Sequence, residues 1–295
     1  MIIMLLLLST VFINGFSTLL EKKFQLSVKN NFATMIMLNL INAVFGCIYF
    51  LCLCKFNIRM NLTTFAFSFG YSMLVFNSLA ISLVALSRMS IPVRGIVGML
   101  GSVLVSVLVG KFFFNEEITF NAVLSVVFLI AAVILPNIKS NEMKSGKNSV
   151  WVCIWLFLSY GVNSVYLKFY TENPKCLDAN NMFFMTNFIC LIICAITVII
   201  YLAASGRRGQ KGKISVLGPK QIVNIGARTA LSNISVIIGV FVISVMDVSV
   251  YTIVISSLGL VAGTLISKFI FCEDLTWKNY VSVLLAIVSI LVGAI

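Results

Sequence analysis

The chain has 295 residues, of which 60% are hydrophobic and only 10% are charged, and it contains no histidine. Its mean hydropathy of +1.09 lies far above the values of soluble globular domains, so the composition excludes that class and indicates an integral membrane protein. The net charge of +12 falls in loops beside the bilayer, where basic residues set topology and meet lipid, so we expect no nucleic-acid partner.

Apolar segments near the length of about 20 residues that a membrane-spanning helix needs recur along the whole chain, separated by short clusters of charge. The sequence therefore predicts an all-α protein with ten transmembrane helices. Their expected bounds are residues 2–20, 32–54, 62–86, 90–110, 119–136, 150–168, 181–204, 219–245, 249–270 and 279–294. The first segment lacks a basic amino-terminal region and a small-residue cleavage site, so we predict a helix there rather than a signal peptide.

The eight cysteines lie mostly inside apolar segments, without the spacing of metal ligands and without histidine partners. Free cysteine behaves as a small hydrophobic residue, so we expect packed or lipid-facing side chains. The sequence accordingly predicts no metal and no other cofactor.

Three stretches of the chain are repeated, and their matches include polar and aromatic positions that shared hydrophobicity does not explain. The pairs are KFFFNEEITF (111–120) with KFIFCEDLTW (268–277), SRMSIPV (87–93) with SVMDVSV (244–250), and GYSMLVFN (70–77) with GARTALSN (226–233). Residues 1–136 and 150–295 are therefore predicted to be two copies of a five-helix unit, joined by a basic loop at 137–149.

An odd number of spans per copy places the second copy in the opposite orientation. Inverted repeats of this kind build a central cavity at the repeat interface, which opens alternately to each side of the membrane. The pattern thus favours a transporter, and a duplication retained only for packing is the alternative.

The repeated motif resembles that of the drug/metabolite transporter superfamily, in its EamA-type members with two repeats and ten helices. In that family a phenylalanine, an acidic residue and a threonine recur between the fourth and fifth helices of each repeat. The matching residues here are Phe114, Glu116 and Thr119, then Phe271, Glu273 and Thr276, and Pro92 also fits. The resemblance covers essentially the whole chain and implies a multi-pass transporter of the cell membrane that exports amino acids or related metabolites.

The charged residues of the motif have a structural interpretation. Thr119 can cap helix 5, Glu116 and Glu117 suit the positive end of a helix dipole, and Lys111 marks the end of helix 4. In the second copy the same roles fall to Lys268, Glu273, Asp274 and Thr276. A gate contact between the repeats is the alternative role. A catalytic carboxylate pair would need a pocket at that depth, so we expect no enzyme.

Arg94 and Arg228 each lie within a predicted span, where an arginine costs about 2.5–3.5 kcal/mol on insertion scales. Such residues usually face a cavity, although both are close enough to a helix end to reach the headgroups. No acidic residue lies in the middle of a span. A cavity with arginines and no carboxylate suits an anionic or zwitterionic substrate better than a lipophilic cation.

Asparagines and aromatic residues complete the candidate substrate site. Asparagine donates and accepts hydrogen bonds, which suits a zwitterion, but it can equally bridge two helices. The asparagines are Asn14, Asn77, Asn163 and Asn233, and the aromatic walls are Tyr71, Trp155, Tyr160 and Tyr251.

Membrane orientation receives two opposite predictions. The odd-numbered loops hold 14 lysines and arginines and the even-numbered loops hold five, which places both termini outside the cell. The family resemblance implies that both termini are cytoplasmic.

The sequence therefore predicts a secondary transporter that moves a small polar metabolite by alternating access. A broad exporter of drug-like compounds is the alternative within transport, and a membrane receptor or structural protein is the alternative outside it. The predicted partners are a small-molecule substrate and the lipid bilayer; the oligomeric state stays open, with a monomer among the possibilities.

Overall fold

The computed structural model of the chain describes residues 2–27, 32–86, 91–135, 147–207, 218–269 and 277–293. Within those ranges it contains ten α-helices and no strand, in agreement with the number and order of the predicted segments. The helices are α1 Ile2–Ser27, α2 Phe32–Leu53, α3 Leu62–Leu86, α4 Ile91–Phe114, α5 Phe120–Ile134, α6 Lys147–Thr171, α7 Ala179–Arg207, α8 Pro219–Val245, α9 Val248–Phe269 and α10 Trp277–Gly293.

Several of these helices are long and apolar enough to cross a membrane. Five described stretches meet that condition by length and composition: Ile36–Leu53, Val97–Phe114, Val150–Thr171, Ala179–Tyr201 and Pro219–Val245. Shorter apolar helical stretches lie in α1, α5, α9 and α10. The architecture is that of a helical membrane protein, and ten crossings stay a prediction.

The helices end where local hydrogen bonds reverse the chain. At the end of α2 the Phe56 N–H donates to Leu51 O at 3.1 Å and the Lys55 N–H to Cys52 O at 3.0 Å. These two bonds define a Schellman motif, with Lys55 in the left-handed region at φ 51° where glycine is usual. Asn115, at φ 52°, reverses the chain after α4, and asparagine tolerates that conformation better than most residues.

The chain divides into two compact units that draw on different parts of the sequence. The first unit comprises Met1–Val11, Met73–Asn173 and Ile238–Ile295, and the second comprises Phe12–Ser72 and Pro174–Ile237. Helices α1, α3 and α8 each contribute residues to both units.

In the first unit α4 and α6 cross closely because small residues face each other. A side chain at Gly101 would collide with the Phe157 backbone, and one at Gly161 would collide with Val105. The hydroxyls of Ser106 and Ser164 hydrogen-bond at 2.8 Å across the same crossing. Gly101 of α4 and Gly161 of α6 therefore allow the two helices to pack closely, as small residues do in membrane proteins.

Helices α5, α9 and α10 also pack in the first unit, through buried serines and an apolar cluster. Ser289 Oγ donates to Ser125 O at 2.8 Å, and Ser282 Oγ donates to Ala132 O. Val103 of α4, Leu129 of α5 and Ile253 of α9 are buried together. Hydroxyl-to-carbonyl bonds of this kind join helices where water is absent.

The second unit is built on α2, α7 and parts of α1, α3 and α8. Phe50 of α2 is buried and stacks on Phe183 of α7, with ring centroids 5.3 Å apart. Ser68 and Ser72 of α3 donate to carbonyls of α7, each at 3.1 Å. Thr229 of α8 donates to Asn42 Oδ1 of α2 at 2.6 Å.

Three of the helix pairs in contact join helices that are five positions apart in the chain. These pairs are α2 with α7, α4 with α9, and α5 with α10. Each pair thus combines the corresponding helices of the two predicted repeats. Both compact units contain helices from both repeats.

Candidate functional site

A polar network links α3 and α6 in the first unit. Asn77 Nδ2 donates to Ser159 Oγ at 2.9 Å, and Trp155 Nε1 donates to Asn77 Oδ1 at 3.2 Å. The Asn77 amide therefore bonds to α6 through both of its ends, which is the helix-bridging role that the sequence left open. The Trp155 ring is 56% exposed, so this network fixes an aromatic surface.

Asn163 lies one turn beyond Ser159 on the same face of α6, because residues four apart share a helix face. Its Oδ1 atom is buried and has no hydrogen-bond partner among the residues that the structure describes. A buried polar atom without a partner costs about 1–3 kcal/mol, so Asn163 Oδ1 is a natural acceptor for a ligand N–H or O–H group.

Two predicted aromatic walls pack against glycines in the first unit. The Tyr160 ring lies against Gly98, where a Cβ atom would be 3.1 Å from the ring, and beside the buried cluster of Ile81 and Leu156. The Tyr251 hydroxyl fills the space beside Gly239. Both tyrosines are half-buried, so each supplies a supported aromatic surface.

The second unit contains four of the predicted substrate-binding residues, each in a different setting. Asn233 Nδ2 is buried without a hydrogen-bond partner in the described part of the chain. Arg228 is half-buried on the same helix, and Asn14 is exposed on α1. Tyr71 meets Phe183 edge to face at 6.0 Å. Arg94 belongs to α4 of the first unit, and its side chain lies outside the described residues.

Glu116 caps a helix other than the one that the sequence suggested. Its carboxylate accepts from the backbone N–H groups of Val248 and Ser249 at 2.7 and 3.2 Å, and from Ser249 Oγ at 2.5 Å. The predicted partner, the start of α5, is capped by Thr119 Oγ1, which accepts from Ala122 N–H at 3.2 Å as expected. The prediction for Glu116 was therefore wrong in its partner, because a fold brings together residues distant in sequence.

The Glu116 contact joins segments of the two predicted repeats, and its role as a gate stays a prediction. A reversal at Asn115 and a bond from Glu116 N–H to Gly110 O at 3.0 Å turn the side chain towards α9. The carboxylate then occupies the space that a side chain at Gly110 would need. A carboxylate at this position also interacts favourably with the positive end of the α9 dipole.

Lys168 holds the other side of the same α8–α9 connection. Its Nζ donates to the Ile243 and Met246 carbonyls, both at 3.1 Å, and pairs with Glu172 at 3.1 Å. The side chain is buried, and the ammonium lies 6.0 Å from the Phe114 ring centre. We call Glu116 and Lys168 the hinge clamp, since one carboxylate holds the first amides of α9 and one ammonium holds the last carbonyls of α8.

The remaining motif residues lie away from the clamp contacts. Glu117 and Lys111 are exposed. Lys268 donates to the Tyr280 hydroxyl at 2.8 Å. Glu273, Asp274 and Thr276 lie outside the described residues, so their predicted roles stay predictions.

Lys168 is a second residue whose assignment changes. It is one of the five basic residues counted in the even-numbered loops, whereas it lies inside α6 and is buried. A lysine four residues before Glu172 near a helix end was the available signal, because such pairs stabilise a helix. Without Lys168 the even-numbered loops hold four basic residues, which increases the charge difference between the two sides.

Comparisons with known proteins identify a shared fold but no family. No model of a protein family matches the chain, and no curated protein matches it. One solved structure, described only as the crystal structure of a protein, has a TM-score of 0.72 and 14% sequence identity to this chain. The match covers 97% of this chain and 98% of the other, so the two share a fold along nearly their whole length.

Proposed function

We propose that the protein is a secondary transporter of the EamA type within the drug/metabolite transporter superfamily. It moves a small polar metabolite with a carboxylate or other anionic group across the cell membrane by alternating access. Amino acids and organic acids are the leading substrates, and the direction of export follows from the family resemblance. The apolar helices and the shared fold are compatible with this function.

The observation that supports this function most strongly is a buried amide atom of the second unit that has no partner among the described residues. Asn233 Nδ2 lacks an acceptor there, and a substrate carboxylate supplies one. In the first unit, Asn163 Oδ1 likewise lacks a donor among the described residues. Asn233 corresponds to Asn77 in the sequence repeat, yet the amide of Asn77 is satisfied by α6. Asn233 therefore lacks the bridging bond that the Asn77 amide nitrogen forms, among the residues that the structure describes.

Arg228 is the proposed partner of the substrate anion, because it is half-buried within α8, the helix that also carries Asn233. Arginine binds a carboxylate through two parallel hydrogen bonds, which adds geometric specificity. The hinge clamp fixes the far end of the same helix against α9. In the proposed cycle, the clamp keeps α8 and α9 connected while the helices rearrange.

A transport assay in proteoliposomes tests the proposal with a panel of amino acids, organic acids and cationic dyes. We expect flux of at least one carboxylated substrate, and Arg228→Ala should abolish that flux while the protein stays folded. Lys220→Ala, which removes an exposed cation near the start of the same helix, is the matched control and should transport normally. Normal flux by the Arg228→Ala variant would remove Arg228 from the site.

The second candidate is a broad exporter of drug-like compounds, and the exposed ring of Trp155 favours it. Aromatic surfaces bind flat apolar molecules through stacking and burial. In this case the dyes of the same panel would be transported, the carboxylated metabolites would not, and Trp155→Ala would have a larger effect than Arg228→Ala.

A further inference from the structure

A polar pocket lies in the second unit, where the loop after α2 meets the start of α7. Its volume is about 400 Å³, within the range of small-ligand pockets. Lys55 and Arg59 contribute cations to its lining, Asn57 and Asn180 contribute amides, and Leu53 contributes an apolar wall. The lining also includes the carboxylate of Asp178, so the side chains around the pocket carry one net positive charge.

Two hydrogen bonds connect the loop after α2 to α7 and to the segment before it, and so stabilise the pocket. Asn181 is only 6% exposed, and its Oδ1 accepts the Arg59 N–H at 3.1 Å. Asn61 Nδ2 donates to Lys175 O at 2.8 Å, which ties the loop to the segment before α7. The Schellman motif places Lys55 in the left-handed region, a strained conformation for a lysine. Strain of this kind in a well-bonded loop suggests selection for something other than stability.

The two cations of the pocket form no ion pair with the residues that the structure describes. Neither the Lys55 ammonium nor the Arg59 guanidinium forms an ion pair or a side-chain hydrogen bond with another described residue. Burial, and then the Asp178 carboxylate, raise the pKa of Cys54, so this thiol stays neutral beside the cations at neutral pH. A ligand with one negative charge would therefore neutralise the net positive charge of the pocket lining.

Large apolar side chains alternate with the cations along the same loop. Phe56 and Met60 are each 73% exposed and Leu62 is 83% exposed. Their neighbours in sequence are Lys55 and Arg59, so the loop presents apolar groups and cations together. This combination is typical of a segment at the membrane interface, where apolar groups enter the acyl region and cations meet lipid headgroups.

We propose that this pocket binds the phosphate of an anionic phospholipid headgroup. Lys55 and Arg59 pair with the phosphate, the amides of Asn57 and Asn180 bond to headgroup hydroxyls, and Phe56 and Met60 contact the upper acyl chains. Guanidinium and ammonium groups are the usual protein partners of phosphate. The proposal goes beyond transport, because lipid binding is measured on the purified protein without any substrate.

Binding of phosphatidylglycerol to the purified full-length protein in detergent tests this site by native mass spectrometry. The double variant Lys55→Gln with Arg59→Gln should bind the lipid roughly thirtyfold more weakly, at about 1 kcal/mol for each of the two basic residues. The matched control, Lys111→Gln with Lys220→Gln, removes the same charge from exposed positions outside the pocket and should bind within about twofold of the original protein. The charge-preserving variant Lys55→Arg with Arg59→Lys should retain binding, which separates loss of the site from loss of folding.

Two further binding measurements, with phosphatidylcholine and with inorganic phosphate, identify the ligand of the pocket. Phosphatidylcholine should bind the original protein more weakly than phosphatidylglycerol does, and it should lose less affinity in the Lys55/Arg59 variant, because its choline cation offsets the charge of its phosphate and its headgroup has no hydroxyls. Inorganic phosphate at millimolar concentration should displace little phosphatidylglycerol. The proposal is overturned if the control variant loses as much affinity as the pocket variant. It is also overturned if inorganic phosphate raises the melting temperature through Lys55 and Arg59 while phosphatidylglycerol does not, since the site would then take a soluble anion.

Discussion

The connection between α8 and α9 and the connection between α2 and α3 treat their charged residues in opposite ways. At the hinge clamp the Glu116 carboxylate and the Lys168 ammonium bond to backbone groups at two helix ends. At the pocket the cationic groups of Lys55 and Arg59 have no such partner among the described residues. Both regions are loops between apolar helices, so composition alone does not separate them.

The two connections show that rare charged groups in a membrane protein have two different roles. A charged side chain that forms hydrogen bonds with other residues of the protein stabilises the fold, so its removal should lower the free energy of unfolding. A charged side chain without such partners adds little stability, so its removal should weaken ligand binding instead. The predictions below test that distinction by stability and binding together.

Lys168→Met should give the largest loss of stability. The substitution keeps most of the buried side-chain volume but leaves the Ile243 and Met246 carbonyls without their donor. We expect a loss of about 2–4 kcal/mol in the free energy of unfolding, measured by thermal unfolding in detergent. Lys111→Met, at an exposed position on α4, is the control and should change stability by less than about 0.5 kcal/mol. Equal melting temperatures for the two variants would contradict the clamp.

Glu116→Gln should have a smaller effect of the same sign. Glutamine retains one oxygen acceptor, but its NH₂ group faces donors of the first turn of α9, and the charge that favours the helix dipole is lost. A loss of about 1–2 kcal/mol is expected in the same unfolding measurement. Glu117→Gln, at the exposed neighbouring position, is the control. If the Glu116→Gln and Glu117→Gln variants both unfold at the temperature of the original protein, the Glu116 carboxylate does not cap α9.

Lys55→Gly should change stability least and in the opposite direction. Glycine adopts the left-handed conformation at φ 51° without strain, so the end of α2 should gain about 0.5–1 kcal/mol. The same variant should bind phosphatidylglycerol more weakly, because the ammonium is gone. Asn57→Gly, close by in the pocket wall but without a positive φ, should gain nothing. A Lys55→Gly variant that melts earlier than the original protein would show that the lysine supports the fold.

The ten helices were predictable because hydropathy is a local property, and each apolar segment is bounded by charge. The bounds were less predictable: α1 continues to Ser27 and α6 begins at Lys147, beyond the predicted 2–20 and 150–168. Long charged side chains can reach the headgroups while the helix continues, so charge marks the edge of the membrane rather than the end of the helix.

The partners of the polar residues were not predictable from the sequence. Thr119 caps the helix that follows it, which is a local interaction with a known spacing. Glu116 instead bonds to Val248, 132 residues away, and Asn77 bonds to Ser159, 82 residues away. Hydrogen bonds across such distances depend on helix packing, which a single sequence does not reveal.

The substrate-site roles of the aromatic residues and the arginines stay predictions. Tyr160 and Tyr251 lie against Gly98 of α4 and Gly239 of α8. Arg94 and Glu273 lie outside the described side chains, so the cavity role of one and the cap role of the other stay predictions.

Transport by the Asn163→Leu variant in proteoliposomes tests whether α6 contributes to the substrate site. Because Asn163 Oδ1 has no partner in the described fold, leucine should leave the melting temperature unchanged or raise it. Flux of the carboxylated substrate should nevertheless fall roughly tenfold or more, the loss of one or two substrate hydrogen bonds. Asn77→Leu is the paired control, and it should lower the melting temperature because it breaks two bonds to α6. Wild-type flux by a stable Asn163→Leu variant would contradict the assignment of α6 to the substrate site.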